Sequence, residues 1–321
     1  IASMLGVFLS GGVLLTLDRS LPQQRLQVML QEAKAQRLIY VGKMPAADRW
    51  LAEFIQILTV DAEKPLTGGH FRASQLHPNA PAYIFFTSGT TGTPKGVLGR
   101  HKGLSHFLTW QRDTFAVGPA DRTGQLTGFS FDVVLRDIFL PLVSGATLCL
   151  PDGETNLGAA TVLPWLEQER ITLLHTVPSL AQSWLTDRPY GITLRSLQRI
   201  FFAGEPLTDR LIRAWREAFP QSGELINLYG PTETTLAKFG YRVPADDRFL
   251  LGVQPVGFPQ PSVQGLILDT HHQLCGIGEP GEIVIRTPFR SLGYINSPEQ
   301  QQSKFLPNPW RDDENDVLYY S

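Results

Sequence analysis

Tyr83-Ile84-Phe85-Phe86-Thr87-Ser88-Gly89-Thr90-Thr91-Gly92-Thr93-Pro94-Lys95-Gly96-Val97 runs from an apolar segment into a loop of hydroxyls and glycines that closes on a lysine. An apolar, β-prone run feeding such a loop reads as a strand that delivers a phosphate cradle. Gly89, Gly92 and Gly96 let the backbone turn tightly and approach an anion, Thr87, Ser88, Thr90 and Thr91 add hydroxyl donors, and Lys95 adds a positive charge. The rival reading is a P-loop, which ends in Gly-Lys-Ser/Thr and is followed by a helix. Here Pro94 precedes Lys95 and the chain continues Gly-Val-Leu, which predicts a second strand instead. A Thr/Gly-rich surface turn would share the composition, but not the strand before it and the lysine after it.

The chain around this loop has 321 residues, 42% hydrophobic and 18% charged, enough for roughly two domains with a sizeable core. A net charge of −2 and the lack of a long Lys/Arg run give no basic field for nucleic acid or an anionic membrane. Cys149 and Cys275 form neither a metal spacing nor a disulfide framework, which fits a reducing, cytoplasmic setting. The uncharged stretch 1–17 is interrupted by Gly11-Gly12, lacks a basic leader and is shorter than the roughly 18–20 residues of a membrane span. It reads as a short buried helix, a Gly-Gly turn and a strand at 13–17. A helix over 23–36 and a strand at 38–41 follow, an alternation that signals an α/β layer.

Apolar strands are predicted at 146–150, 171–176, 199–203 and 225–228, with helices between them. From residue 246 the texture changes to short apolar segments separated by Gly and Pro, including 264–268 and 282–286, which suggests a small antiparallel sheet or barrel. The expected organisation is therefore an α/β core over 1–245, with layered, parallel-rich sheets, and a small β-barrel-like subdomain over 246–321. A second chemical motif, Asn227-Leu228-Tyr229-Gly230-Pro231-Thr232-Glu233-Thr234-Thr235, stands where a strand ends and the chain must turn, the place where α/β sheets gather their ligands. Tyr229 offers a face for a purine, Thr232 a hydroxyl for a phosphate and Glu233 a hard oxygen ligand suited to Mg²⁺. Taken singly, Tyr229 could equally be a core aromatic and Glu233 a solvated loop acid.

With both motifs in view, the chain resembles the acyl-adenylate-forming superfamily, and within it the amino-acid adenylation domains of non-ribosomal peptide synthetases. Residues 9–18 resemble the early glycine-pair motif, and Thr87 to Gly96 the phosphate-loop signature. Phe129-Ser130-Phe131-Asp132 is similar to the start of the substrate pocket, 227–235 to the adenine and magnesium motif, and 281–286 through Gly293-Tyr294 to the following core strand. The resemblance implies ATP-dependent activation of an amino acid and its loading onto a peptidyl carrier protein, whose phosphopantetheine arm belongs to a downstream domain. By the same resemblance, Thr87 to Lys95 hold the β/γ-phosphates, Thr232 contacts the α-phosphate, Glu233 carries Mg²⁺, Tyr229 stacks on adenine, the Ala203-Gly204-Glu205 turn borders the base, and Asn227 belongs to the same nucleotide site. The alternatives are an acyl-CoA ligase or carboxylic-acid reductase domain, or a fragment that binds without turnover. Relatives continue past the position of Ser321 into a Gly-Asp pair, a hinge and a small lid subdomain with a catalytic lysine, so the expectation is a large subdomain without its lid.

The resemblance also places Asp132 against a substrate α-ammonium group, with Val133, Arg136, His175, Phe201, Ala203, Leu228, Leu236 and Ala237 as pocket walls. A guanidinium at Arg136 suggests a second carboxylate on the substrate, hence an acidic, Asp/Glu-type amino acid. Alternatively Asp132 and Arg136, four apart, pair with each other on a helix, and His175 is an ordinary strand-end histidine. Adjacent His271-His272 point apart on a strand and do not read as a metal pair. His101 reads as a structural hydrogen-bonding residue, and the charge run 311–316 as a solvated loop.

Overall fold

The computed structural model describes residues 1–61, 64, 72–87, 94–151, 157–246 and 248–321. At its centre lies a seven-stranded sheet in the order Phe258–Pro259, Phe239–Arg242, Glu224–Tyr229, Arg199–Phe202, Leu173–Thr176, Arg122–Gly124, Thr147–Cys149. The last five of these strands run parallel, and the first two are antiparallel additions at one edge. Parallel strands are covered on both faces, so they read as nearly unbroken apolar runs; all four residues of Leu173–Thr176 are buried. Successive side chains then serve opposite layers. Leu174, Ile200, Phe202 and Leu225 pack with the helices Ala159–Gln168, Pro178–Thr186 and Asp209–Ala218. Leu173, Phe201, Ile226 and Leu228 pack with His101–Thr114 and Val134–Ser144.

The phosphate-loop segment belongs to a second sheet, ordered Leu14–Leu15, Pro81–Thr87, Lys95–Arg100, Gly293–Tyr294. Pro81–Thr87 and Lys95–Arg100 pair antiparallel, with Thr87 opposite Lys95. The chain after the lysine is thus a strand, as Gly-Val-Leu predicts, and not the helix of a P-loop. Gly99 is dictated by this pairing: a Cβ there would lie 2.0 Å from the ring of fully buried Tyr83. A third, antiparallel sheet joins Gln264–Leu268, Glu282–Arg286, Val317–Tyr320 and Phe305–Pro307, and Arg37–Val41 pairs with Gln56–Val60 in a small fourth one.

Several expectations change. The helix Ala2–Leu9 is not buried: Met4 alone is in the core, while Ile1, Leu5 and Leu9, spaced by one turn, share the outer face. The strand at 13–17 shortens to Leu14–Leu15 and the helix at 23–36 to Gln23–Glu32, where Ala33 caps it and Lys34 turns left-handed. The strands flanking that helix enter different sheets, Leu14 pairing with Tyr83 and Arg37 with Gln56. The seven-stranded sheet also runs past residue 245, and Gly293–Tyr294 pairs back onto the phosphate-loop sheet. In the run 311–316, Asp316 is not solvated: Arg286 donates to it through Nε at 2.8 Å and Nη2 at 2.7 Å, and Asn308 donates at 3.0 Å. His101 finds no hydrogen-bond partner for its buried Nε2 among the described residues and sets its ring edge-on to Phe8. His271-His272 lie in a turn and not on a strand.

Candidate functional site

The carboxyl ends of the parallel strands converge where helix Val134–Ser144 begins. Val133 caps that helix, so Asp132 stands just ahead of it and lends only its carbonyl to the first turn, accepting from Leu135 N–H. The helical Asp132–Arg136 pair therefore does not form. Arg136 instead donates from Nε to Asp137 at 3.1 Å, both side chains being buried. The same Asp137 oxygen lies 3.2 Å from His175 Nδ1, and its other oxygen accepts from the Thr127 hydroxyl at 2.5 Å. On the far side of the ring, the Gln111 amide reaches His175 Nε2 at 2.7 Å. His175 is thus one member of a buried polar chain from Gln111 to Arg136, and not an isolated strand-end histidine.

The charges in this cluster settle one another. Burial and the neighbouring Arg136 push His175 down to about 4, so it is neutral near pH 7. Asp137 is held below the usual carboxylate range, because Arg136 and the His175 and Thr127 contacts outweigh its burial. Asp132 is the exception. Burial pushes it up to about 6 despite the facing Thr232 hydroxyl and the more distant Arg136, and its Oδ2 has no hydrogen-bond partner among the described residues. A buried carboxylate oxygen without a donor costs free energy until a donor arrives. Arg136 likewise uses only Nε, with no hydrogen bond from either Nη among the described residues.

Phe201, Leu228, Leu236 and Ala237 are buried in one apolar cluster, with Val133 and Ala203 packed against it. Phe201 and His175 hold their rings 4.8 Å apart. Behind Asp132, fully buried Lys238 donates to the Thr235 carbonyl at 2.8 Å, and burial pushes its ammonium down to about 7. That contact anchors a turn in which both Thr235 and Leu236 adopt positive φ, an uncommon state for a β-branched residue.

Thr232 and Glu233 occupy the short turn Thr232–Thr234 that follows strand Glu224–Tyr229 and Pro231. Glu233 is buried and accepts from the Tyr294 hydroxyl at 2.5 Å, while its carbonyl accepts from Ser291 N–H at 2.9 Å. Burial and the carboxylate keep the Tyr294 phenol well above its ordinary range, and Tyr319 is raised by the same two causes. Asn227 donates to the Pro255 carbonyl at 2.9 Å, and Tyr229, half-buried, tilts against Phe239. Gly204 takes φ +85° in the turn after Arg199–Phe202, and Glu205 accepts from Ser179 N–H and Oγ, both at 2.8 Å, tying that turn to helix Pro178–Thr186. Thr87 and Lys95 face each other at the mouth of the hairpin; Ser88, Gly89, Thr90, Thr91 and Gly92 lie outside the described residues.

A single carboxylate suits Mg²⁺, which usually takes one or two protein carboxylates plus substrate phosphates, and Glu233, with Tyr294 and Tyr319 beside it, supplies one. Among the described residues no group of three His, Cys, Asp or Glu could hold a metal by itself, and no helix is long and apolar enough to cross a membrane. Sequence reasoning had passed over Asp137, Gln111, Lys238 and Tyr319. The signals were weak: a lone acid and a lone lysine inside otherwise apolar runs.

Residues 1–295 match the family of AMP-binding enzymes. The chain belongs to that family. It is 34% identical over 313 residues to tyrocidine synthase 3 of Brevibacillus parabrevis, covering 97% of this chain and 5% of that protein. Identity is 31% over 315 residues to a dimodular nonribosomal peptide synthase of Bacillus subtilis (strain 168), covering 97% and 13%. The L-2-aminoadipate reductase large subunit of Eremothecium gossypii is 30% identical over 345 residues, covering 96% and 25%. The chain thus spans a small part of the relatives it matches. Among solved structures, the non-ribosomal peptide synthetase FmoA3 (S1046A) in its AMPPNP-bound form superposes with a TM-score of 0.83 at 26% identity, covering 99% of this chain and 34% of that one. The layered α/β fold with its antiparallel sheet is that of adenylation domains.

Proposed function

We propose that this chain binds ATP and an amino acid and activates the amino-acid carboxylate as an aminoacyl-adenylate, for transfer to a carrier-protein domain of a non-ribosomal peptide synthetase. The observation that carries this reading is Asp132: a buried carboxylate with an unpartnered oxygen, beside Thr232 and ahead of a largely apolar wall that Arg136 and His175 interrupt. Such a group is matched by an ammonium that brings its own donors. Family membership and the likeness to peptide synthetases support the same assignment.

The chemistry asks little of a base. A free carboxylate is ionised near neutral pH, so it can attack the α-phosphorus of ATP in line while pyrophosphate leaves. Asp132 fixes the ammonium end, the apolar walls exclude water, Thr232 orients the α-phosphate, and Thr87 and Lys95 at the hairpin mouth steer the leaving phosphates. When bound, Mg²⁺ on Glu233 would neutralise phosphate charge. The substrate is of the acidic, Asp/Glu type: the uncommitted Nη groups of Arg136 offer a fork for a second carboxylate, with the Asp137–His175–Gln111 chain holding the guanidinium in place. The likeness to an aminoadipate reductase keeps a second reading open, transfer of the activated acyl group to reduction instead of a peptide.

Calorimetry with a panel of amino acids in the presence of Mg²⁺ and a non-hydrolysable ATP analogue tests both levels. Binding of aspartate or glutamate above neutral residues supports the full reading. Preference for neutral side chains refutes the acidic substrate while keeping adenylation, and absence of heat with every amino acid and with the nucleotide refutes adenylation.

A further inference from the structure

Away from this site, a cleft of about 630 Å³ opens between helix His101–Thr114, strand Glu282–Arg286 and the segment ahead of strand Val317–Tyr320. None of the adenylation residues lines it. Its rim carries five cationic side chains against two carboxylates, Asp313 and Asp316. Arg286 takes Asp316 in a fork and Arg311 approaches the same group at 3.8 Å. Arg100, Lys102 and Arg290 are left with no carboxylate partner among the described residues.

All three line the same cleft. Arg100 is 9% exposed, and its guanidinium spends its hydrogen bonds on neutral oxygens: Nε and Nη2 on the Arg290 carbonyl, Nη2 also on that of Pro288, and Nη1 on Asn79 Oδ1. Carbonyls satisfy the donors but leave the charge uncompensated. Arg290 donates to its neighbour's carbonyl and rests over the Phe305 ring. Burial and Arg290 together push Arg100 down to about 10, and burial, Arg100 and Arg290 lower Lys102. Arg100 is also the N-cap of a 14-residue helix with no acid in its first turn, so the positive end of the helix dipole adds to the same side. Folding a chain around such mutual repulsion is costly unless an anion relieves it.

We propose that this cleft is a binding site for a phosphate-bearing small molecule, gripped by Arg290, Lys102 and Arg100. A tetrahedral oxyanion can accept from guanidinium and ammonium groups at once; the first helix N–H groups, of His101 and Lys102, already donate to the Ala80 and Pro78 carbonyls. The cleft has the volume of small-molecule sites in general, about 300–1,000 Å³, so it holds a phosphate ester in preference to a lone ion.

Inorganic phosphate is the probe, followed by the Arg Nε–H signals of Arg100 and Arg290 in nuclear magnetic resonance and by thermal melts of the chain. These two signals should shift saturably with phosphate and stay still with chloride at matched ionic strength. Lys102→Gln/Arg290→Gln should weaken phosphate binding, read at Arg100, by at least tenfold, and should raise the melting temperature of the phosphate-free protein by relieving repulsion. A structural role alone would lower that temperature. Equal shifts with chloride, signals that ignore phosphate, or an unchanged phosphate affinity in the double variant would each overturn the site.

Discussion

Asp132 and His175 are buried near the same arginine in space and respond to pH in opposite directions. Asp132 sits at about 6 against 3.8 when unburied, so the folded chain binds its proton more tightly. That contribution to stability is complete below about pH 4 and is lost as pH rises through 6. His175 sits at about 4 against 6.5; its contribution is complete above 6.5 and is lost as pH falls through 4. Melting curves between pH 4 and 7 should therefore gain stability at pH 7 from Asp132→Asn, and lose part of the acid sensitivity on His175→Gln. For ligands the sign at Asp132 reverses, because an ammonium needs the carboxylate. Amino-acid affinity should rise with pH through about 6, and Asp132→Asn should flatten that profile and cost about 2–5 kcal/mol of binding, the range for truncating one partner of a buried charge pair. An amino-acid affinity that ignores pH from 5 to 7 would mean Asp132 is not the ammonium partner. Asp132 itself was legible in the Phe-Ser-Phe-Asp segment. That its Oδ2 finds no partner among the described residues was not, since that depends on Arg136 turning to Asp137 once the helix starts beyond Asp132.

The hairpin of Pro81–Thr87 and Lys95–Arg100 positions Thr87 and Lys95, and its closeness to Tyr83 is the reason for Gly99. Gly99→Ala should destabilise the chain by at least the 1–3 kcal/mol typical of overpacking, measured as a lower denaturant midpoint at unchanged slope. The short strand Gly293–Tyr294 carries a hydroxyl across to Glu233. Tyr294→Phe removes a hydrogen bond to a charged acceptor, worth about 1.5–3 kcal/mol, and should weaken nucleotide binding more with Mg²⁺ than without it. Equal loss in both conditions, by calorimetry, would assign Tyr294 to packing alone. Strand positions such as Gln264–Leu268 and Glu282–Arg286 were readable from apolar runs between Gly and Pro. The exposure of Leu5 and Leu9 was not, because an uncharged run reveals its composition and not which helical face meets the sheet.

On the scale of the whole molecule, the proposed nucleotide end of the site is a junction of three sheets: Thr87, Lys95 and Tyr294 from the first, Thr232 and Glu233 after a strand of the seven-stranded sheet, and Tyr319 from the antiparallel one. Binding Mg²⁺ and nucleotide should therefore raise amide-exchange protection together in Lys95–Arg100, Glu224–Tyr229 and Val317–Tyr320. Protection confined to one sheet would contradict a shared site. The sequence by itself determined the α/β class, the phosphate-loop hairpin and the strand-end turn at Thr232-Glu233, because these follow from local periodicity, turn chemistry and short motifs. Tertiary structure alone decided which strands share a sheet, that Arg136 answers to Asp137, that Tyr294 reaches Glu233, and that Arg100, Lys102 and Arg290 line one cleft with no carboxylate partner among the described residues. Each of these depends on how segments distant along the chain bury their apolar faces together, and no local pattern encodes it.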